Sequence, residues 1–222
     1  MMRRLLRVLR FNLAILIACT VTGCHGPLGR PYPAEELRQS GAFTLLDPVD
    51  SPEVEGPSGC GAQALAAAIA RLKPGVDARD LAAELPWHDL GATPVDLILE
   101  ARRRGLSATL LRGDLARLRQ AVRDEESAIV MIDVAPQPRT ILGRVDPANL
   151  MHWALVLGVA RDESAIALVA TEYRAHLVDR KEFERRWDAS DRCLIIIQYP
   201  PSKEGEHEAS TPVRVREDAV HS

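Results

Sequence analysis

The stretch "EGPSGCGAQALAAAIARLKPG", residues 55–75, places a glycine-flanked cysteine immediately before an alanine-rich helix. Apolar residues recur at helical spacing over residues 62–72, and the "KPG" that follows predicts the helix end. Cys60 therefore stands where the helix begins, among backbone N–H groups that have no partner within the helix. The helix dipole and these amides favour a thiolate, so the stretch predicts a reactive cysteine. The flanking Gly59 and Gly61 permit a tight turn and leave room for a substrate chain.

Composition limits the classes of partner. The chain has 222 residues, with 28 basic and 31 acidic side chains and a net charge of −3. A nucleic-acid-binding domain would carry a basic face, so we expect no nucleic acid partner. No cofactor fingerprint, phosphate-binding glycine loop or metal-ligand spacing occurs, and we expect neither a cofactor nor a metal. The chain is expected to act as a monomer.

The N-terminal stretch "MMRRLLRVLRFNLAILIACTVTGC" has four arginines, an apolar run over residues 11–21 and small residues before Cys24. This is the architecture of a secretory signal. Its end, "VTGC", resembles the lipobox of bacterial lipoproteins, which implies cleavage before Cys24 and lipidation of that cysteine. The alternative is an uncleaved anchor, although the apolar run is shorter than the roughly 20 residues of a spanning helix. Both predict attachment to a membrane of the cell envelope, on the periplasmic or extracellular face.

The remaining chain divides into a tether, one domain and a tail. After the signal peptide at residues 1–23, residues 24–47 are rich in glycine and proline and predict a tether that ends in a lead-in strand near "AFTLL". Residues 48–199 have the size of one ordinary domain. Residues 200–222 are polar and aperiodic, which predicts a disordered tail.

The domain is helical in its first half and rich in strands in its second half. After the first helix, three more helices are predicted, opened by the capping residues Asp77, Thr93 and Asp114. The segments that predict strands are "LSATLL", "SAIVMIDV", "HWALVLGVA", "AIALVAT" and "RCLIIIQY". A hairpin turn is predicted at "RDES", and a short helix at "DRKEFERRW" precedes the last strand. This order predicts an α+β fold, with the helices packed on one antiparallel sheet.

Cys60 needs a partner that carries protons, and histidine is the usual one near neutral pH. His152 opens the strand "HWALVLGVA" directly after a loop, where a side chain can project into a cleft; the alternative is a hydrogen-bonded histidine at a strand end. The other histidines are less well placed: His25, His88, His176, His207 and His221. Cys193 lies in an apolar run and is expected to be a small core residue, although a bridge to Cys60 is open.

The order of "GCGAQALAAAIA" and, about ninety residues later, "HWALVLGV" resembles papain-like cysteine peptidases of the bacteriocin-processing, double-glycine leader branch. The likeness extends over residues 52–198. It implies a papain-like fold, a catalytic pair of Cys60 and His152, and a peptide or protein leader as substrate. It also places Gly61 and Trp153, which follow the two catalytic residues, at the substrate cleft. In such a pair the imidazolium protonates the leaving amine.

Two positions depart from that family. The family carries a glutamine five or six residues before the cysteine, and here these positions are Glu55 and Val54. Loss of one oxyanion donor costs about 2.7–4 kcal/mol in comparable hydrolases, so backbone amides or Gln63 would have to replace it. The residue that orients the histidine is Asp or Asn in the family. Here either Thr171 or Glu172 takes that place or no residue does, and Glu172 is equally compatible with a surface residue at a strand end.

Two functions follow from these residues. The first is an envelope-tethered thiol hydrolase, a cysteine peptidase, whose residues would equally serve acyl transfer. The second is a catalytically weak or inactive papain-like domain that binds peptides at the membrane, which Glu55 favours. The retained Cys60 and His152 favour the enzyme, because a binding module has no physical need for a thiol at the start of a helix.

Overall fold

The computed structural model describes residues 30–46, 59–85, 91–134, 140–141, 144–145, 151–169 and 175–201. The described helices are α1 (Ala34–Ser40), α2 (Cys60–Leu72), α3 (Ala78–Glu84), α4 (Pro94–Arg103), α5 (Leu115–Arg123) and α6 (Arg180–Asp188). The described strands are β1 (Arg30–Tyr32), β2 (Phe43–Leu45), β3 (Ser107–Arg112), β4 (Ser127–Asp133), β5 (Thr140–Ile141), β6 (Arg144–Val145), β7 (Met151–Ala160), β8 (Ala165–Val169), β9 (Ala175–Asp179) and β10 (Cys193–Gln198). Within these ranges no helix is long and apolar enough to cross a membrane.

Eight of these strands form one antiparallel sheet, in the order β1-β9-β8-β7-β4-β10-β3 with β2 added beside β7. The strand β2 pairs with the part of β7 that β4 does not reach. The long strand β7 lies at the centre, and its side chains from His152 onward are buried. The predicted α+β fold is therefore confirmed, and the hairpin predicted at "RDES" joins β7 to β8.

The alanines of α2 explain how this helix packs. Its residues from Gly61 to Ile69 are all buried, because α2 lies between β4 and β7 on one side and α3 and α4 on the other. Small side chains let the helix approach the sheet so closely that Ser127 of β4 donates a hydrogen bond to the Ala68 carbonyl at 3.2 Å. Alanine also has the highest helix propensity, so one residue type serves both the helix and its packing.

The opposite face of the sheet is covered by α6. Trp187 of this helix lies beside Leu194 of β10, since a Cβ added at Gly113 would meet both side chains within 2.7 Å. Leu194 pairs with Val130 of β4. Val130 follows Ser127 by three residues, an odd number, and Ser127 faces α2. Because side chains alternate across a strand, α2 and α6 lie on opposite faces. The sheet is thus buried on both sides around β4.

The predicted helix caps are present. The Asp77 carboxylate accepts from two backbone amides, and that of Asp114 accepts from the Arg117 amide at 2.7 Å. Thr93 forms a capping box with Asp96, and Pro94 occupies the first turn of α4. These contacts satisfy N–H groups that a helix leaves without partners, so the sequence signals for helix starts were correct here.

Part of the predicted tether belongs to the domain. Within residues 24–47, β1 pairs with β9 and β2 pairs with β7. Only β2 was predicted, as the lead-in strand near "AFTLL". Leu37 of α1 and Leu46 are each 3% exposed. Three-residue strands and a two-turn helix carry too few apolar positions to show a period, so only the partner strands reveal them. Within the described residues, the sheet therefore begins at Arg30, before the expected boundary at residue 48.

Gly158 has no side chain to obstruct the pairing of β2 with β7. A Cβ at this position would lie 2.4 Å from the Thr44 carbonyl oxygen and 2.5 Å from Leu45. We expect Gly158→Ala to reduce the free energy of unfolding by roughly 3 kcal/mol, at the upper end for an overpacked site, because a backbone carbonyl cannot rotate away. Urea denaturation measures this change.

Gly41→Ala is the control, since a Cβ there meets nothing within 4 Å and only its φ of 63° is unfavourable. That variant should lose about 1–2 kcal/mol. Equal losses in the two variants would show that β2 is not held against β7 in solution.

Candidate active site

Cys60 is the first residue of α2, and Gly59 precedes it as an extended N-cap residue. The Gly59 carbonyl accepts from the amides of Ala62 at 2.9 Å and Gln63 at 3.4 Å. The amides of Cys60 and Gly61 come before these and lie outside the helix hydrogen-bond ladder. The Cys60 side chain is half-buried. Its sulfur therefore sits at the positive end of the helix dipole, which stabilises a thiolate.

The start of β7 contacts this sulfur. The backbone N–H of Trp153 donates to Cys60 Sγ, with 3.4 Å between nitrogen and sulfur. The strand β4 pairs along one edge of β7 from Met151 to Val156, whereas β8 pairs with β7 only from Leu155. The sulfur thus lies on the edge of β7 that faces away from β4, before the stretch that pairs with β8. Two residues that are 93 apart in the sequence meet here.

His152 directly precedes the contacting amide. Covalent geometry puts the Cα of His152 within roughly 6 Å of Cys60 Sγ, because that atom is two bonds from the Trp153 nitrogen. A histidine side chain spans this distance when its χ1 rotamer turns the ring toward α2. His152 pairs with Ile132 of β4 and is 0% exposed. The sequence predicts that the imidazole projects into a cleft, whereas the structure shows His152 fully buried, one residue before the amide that contacts the sulfur.

Trp153 forms a wall next to the cysteine. Its indole N–H donates to the Ala92 carbonyl at 2.9 Å, which ties β7 to the segment before α4. A Cβ at Gly61 would lie 2.7 Å from Ala92 Cβ and 3.1 Å from Trp153 Cδ1. The sequence predicted that Gly61 leaves room for a substrate chain. In the structure, the space of its missing side chain is filled by Ala92 and Trp153. The role of Ala92 had no sequence signal, because its contact is made by a backbone carbonyl.

The other candidate residues are placed as follows. Gln63 is 4% exposed, one turn into α2, so its amide is covered by packing. Glu55, Glu172 and Cys24 lie outside the described residues. The chain leaves β8 at Val169, which pairs with Leu155 near the His152 end of β7. The described residues contain no group of three or more histidine, cysteine, aspartate or glutamate side chains that could hold a metal ion.

The second cysteine of the described chain is not activated. Cys193 begins β10, is half-buried, and forms no disulfide with Cys60. Burial raises the pKa of the Cys193 thiol, because a thiolate loses its hydration there. The expectation of a structural role for Cys193 is confirmed by its place in the sheet. The surroundings of Cys193 therefore disfavour its thiolate.

The close packing at Gly61 gives a testable prediction. We expect Gly61→Ala to lower the free energy of unfolding by about 1–3 kcal/mol, because the new Cβ would force Ala92 and Trp153 apart. Displacement of Trp153 also moves the amide that donates to Cys60, so alkylation of Cys60 by iodoacetamide should change in rate. The two measurements are urea denaturation and the alkylation rate at fixed pH.

The matched control adds Ala92→Gly to Gly61→Ala. It removes the Cβ at 2.7 Å and should recover most of the lost stability and the original alkylation rate. If the double variant is no better than Gly61→Ala alone, Ala92 is not the group that Gly61 accommodates.

Comparison with solved structures defines the class of fold. A protein from Bacillus anthracis described as a C39-like peptidase is similar with a TM-score of 0.54 and 16% sequence identity, over 71% of this chain and 98% of that one. A double glycine motif protease from an AMS/PCAT transporter, solved in complex with the leader peptide, is similar with a TM-score of 0.51 and 15% identity, over 70% of this chain and 94% of that one. Neither a protein-family model nor a curated protein sequence matches the chain.

The chain therefore has the α+β papain-like fold of C39 peptidase domains. One of the two solved structures is a double glycine motif protease, the branch that the motifs around Cys60 and His152 resemble.

Proposed function

We propose that this chain is an envelope-tethered thiol hydrolase, a cysteine peptidase that cleaves a peptide or protein leader with Cys60 and His152. The contact between Trp153 N–H and Cys60 Sγ carries the proposal, because it brings the residue after His152 to the start of α2. Helix dipole, amide donor and neighbouring histidine then act on one sulfur. The papain-like fold supports the same pairing of elements.

The reaction follows from this arrangement. The Cys60 thiol gives its proton to His152, and the thiolate attacks the carbonyl carbon of the scissile peptide bond. The amides of Cys60 and Gly61, in the first turn of α2 at the positive end of the helix dipole, are the proposed donors for the oxyanion. His152 returns the proton to the leaving amine as the thioester forms. Water, deprotonated by His152, then attacks the thioester carbonyl carbon. The C–S bond breaks, the acid product leaves, and His152 returns the proton to the Cys60 sulfur.

Glu172 is proposed to orient His152. The strand β8 ends at Val169, opposite Leu155, and Glu172 follows three residues later in the sequence. A carboxylate that accepts from the imidazole fixes its tautomer and stabilises the imidazolium. This charge would offset the desolvation that a fully buried histidine suffers when it is protonated.

The proposed location rests on the sequence of residues 1–24. Arginines, an apolar run and the ending "VTGC" favour export and lipidation of Cys24. An acyl chain contributes about 0.8 kcal/mol of membrane affinity for each buried methylene group. The domain would then act at the membrane surface, on the periplasmic or extracellular side.

A membrane-anchored peptide-binding module is the second candidate. It is favoured by the complete burial of His152, which opposes formation of the imidazolium, and by Glu55 in place of an oxyanion donor. Such a module would bind the same peptides without cleaving them.

The test uses the full chain in a neutral detergent and a library of peptides that contain Gly-Gly. We expect mass spectrometry to find new fragments, and prior treatment with iodoacetamide to prevent their formation. Peptides retained intact by both treated and untreated protein would support the binding module and contradict the peptidase. Fragments that persist after alkylation of Cys60 would come from another enzyme in the preparation.

A further inference from the structure

A second site lies at the end of the sheet away from Cys60. A cavity of about 190 Å³ opens between the last turns of α5, the strand β2 and the end of β7. Arg119, Arg123 and Arg161 line it, and its apolar wall is formed by Val122 and Val159. The strand β7 separates Ala160 at this cavity from His152 by eight residues, or roughly 26 Å. The cavity is therefore separate from the catalytic cleft.

The lining of the cavity is strongly basic. Three arginines are among its lining residues, which include no aspartate or glutamate. Arg119 is paired with Glu163, which also pairs with Arg180 at 3.0 Å. Within the described part of the chain, Arg123 and Arg161 form no ion pair. The positive charge is thus only partly neutralised, which attracts an anion into the cavity.

The helix dipole accounts for the position of Arg123 but not for that of Arg161. Arg123 lies in the last turn of α5, where a positive charge complements the helix dipole. Arg161 lies in the turn between β7 and β8, and its backbone N–H donates to the Ala42 carbonyl at 2.8 Å. No helix end accounts for its charge. Like charges gathered around one cavity repel one another, an anion between them relieves this repulsion, and guanidinium groups suit phosphate in particular.

The strand β1 begins toward the end of the sheet that carries the arginine-lined cavity. Arg30 pairs with Leu177, and β1 then runs toward Tyr32, which pairs with Ala175. The end of β9 near Asp179 is the end where β8 begins and β7 finishes. Arg30, the first described residue of β1, therefore lies toward the end of the sheet that carries the arginine-lined cavity. Cys24 is six residues before Arg30, which limits their separation to roughly 20 Å.

We propose that the arginine-lined cavity binds the phosphate of an anionic phospholipid headgroup. Arg123 and Arg161 contact the phosphate, and Val122 and Val159 contact the adjoining glycerol. The domain then rests on the bilayer with this end of the sheet, and Cys60 faces away from the membrane at the opposite end. The choice of lipid over free phosphate rests on the proposed tether through Cys24, whereas the binding of an anion does not.

Isothermal titration of the full chain in a neutral detergent tests this site. The probes are glycerophosphoglycerol, which is the deacylated headgroup of phosphatidylglycerol, glycerophosphocholine and inorganic phosphate. We expect the first to bind at least tenfold more tightly than the other two. The double variant Arg123→Gln/Arg161→Gln should weaken its binding tenfold or more. The double variant Arg79→Gln/Arg103→Gln removes equal charge from exposed helix residues elsewhere and should change binding less than twofold.

The opposite results are equally clear. Inorganic phosphate that binds as tightly as glycerophosphoglycerol would show a site for free phosphate and overturn the lipid assignment. Equal weakening in both double variants would reduce the effect to net charge, and absence of binding would overturn the site itself. None of these measurements uses hydrolysis, so their failure is distinct from failure of the proposed peptidase.

Discussion

Replacement of Cys60 by serine is expected to abolish peptide cleavage and the rapid alkylation of the protein by iodoacetamide. The loss in kcat/KM should be on the order of 10⁵–10⁶-fold, as when the nucleophile of a hydrolase is removed. A serine hydroxyl at the start of α2 keeps nearly the same volume but does not ionise near neutral pH. The Trp153 amide and the helix dipole would then stabilise an anion that no longer forms.

Cys193→Ser is the matched control for this substitution. Burial raises the pKa of the Cys193 thiol and disfavours its thiolate, so this variant should keep both cleavage and rapid alkylation. Folding of both variants is checked by urea denaturation. Cleavage that survives in Cys60→Ser, or rapid alkylation that is lost only in Cys193→Ser, would contradict the assignment of the nucleophile.

The second large effect is expected from His152→Gln. General acid and base catalysis contributes about 10²–10⁴-fold, so kcat/KM should fall within that range. Without the imidazolium, a smaller fraction of the Cys60 thiol should be ionised at low pH. Alkylation at pH 6 should therefore slow at least tenfold, whereas alkylation at pH 9 should stay close to that of the unmodified protein. Glutamine is polar and of similar size, which limits the cavity left at this fully buried position.

His176→Gln controls for the loss of a histidine from the sheet. His176 is half-buried on β9 and pairs with Leu168, two strands away from the β7 site. It should leave the pH profile of alkylation unchanged. A profile that is the same in His152→Gln and the unmodified protein would show that His152 does not form an ion pair with Cys60. The membrane-anchored binding module would then be the better account.

Local signals in the sequence predicted most helices and strands. The capping residues Asp77, Thr93 and Asp114 stand where they were expected, because caps depend on neighbours within three residues. The β-branched runs that predicted β4, β7, β8 and β10 are strands for a similar local reason. The hairpin β5–β6 was not expected inside the loop before His152, since two-residue strands have no pattern to recognise.

The order of the strands required the tertiary structure. β10, the last strand of the sequence, lies between β4 and β3, and β1 joins the far edge beside β9. Such pairings depend on contacts between residues far apart in the chain, which no local pattern encodes. For the same reason, the packing of residues 30–46 on the sheet and the arginine-lined cavity had no signal in the sequence.

The sequence by itself determined the α+β class and the cysteine at the start of α2, since periodicity and helix signals are local properties of the chain. It also offered Cys60 and His152 as a candidate pair. Only the tertiary structure decided that the start of β7 reaches the Cys60 sulfur, that His152 is buried, and that Gly61 accommodates Ala92 and Trp153. Distances between elements follow from how the whole core packs, and the packing is fixed only when all elements are in place.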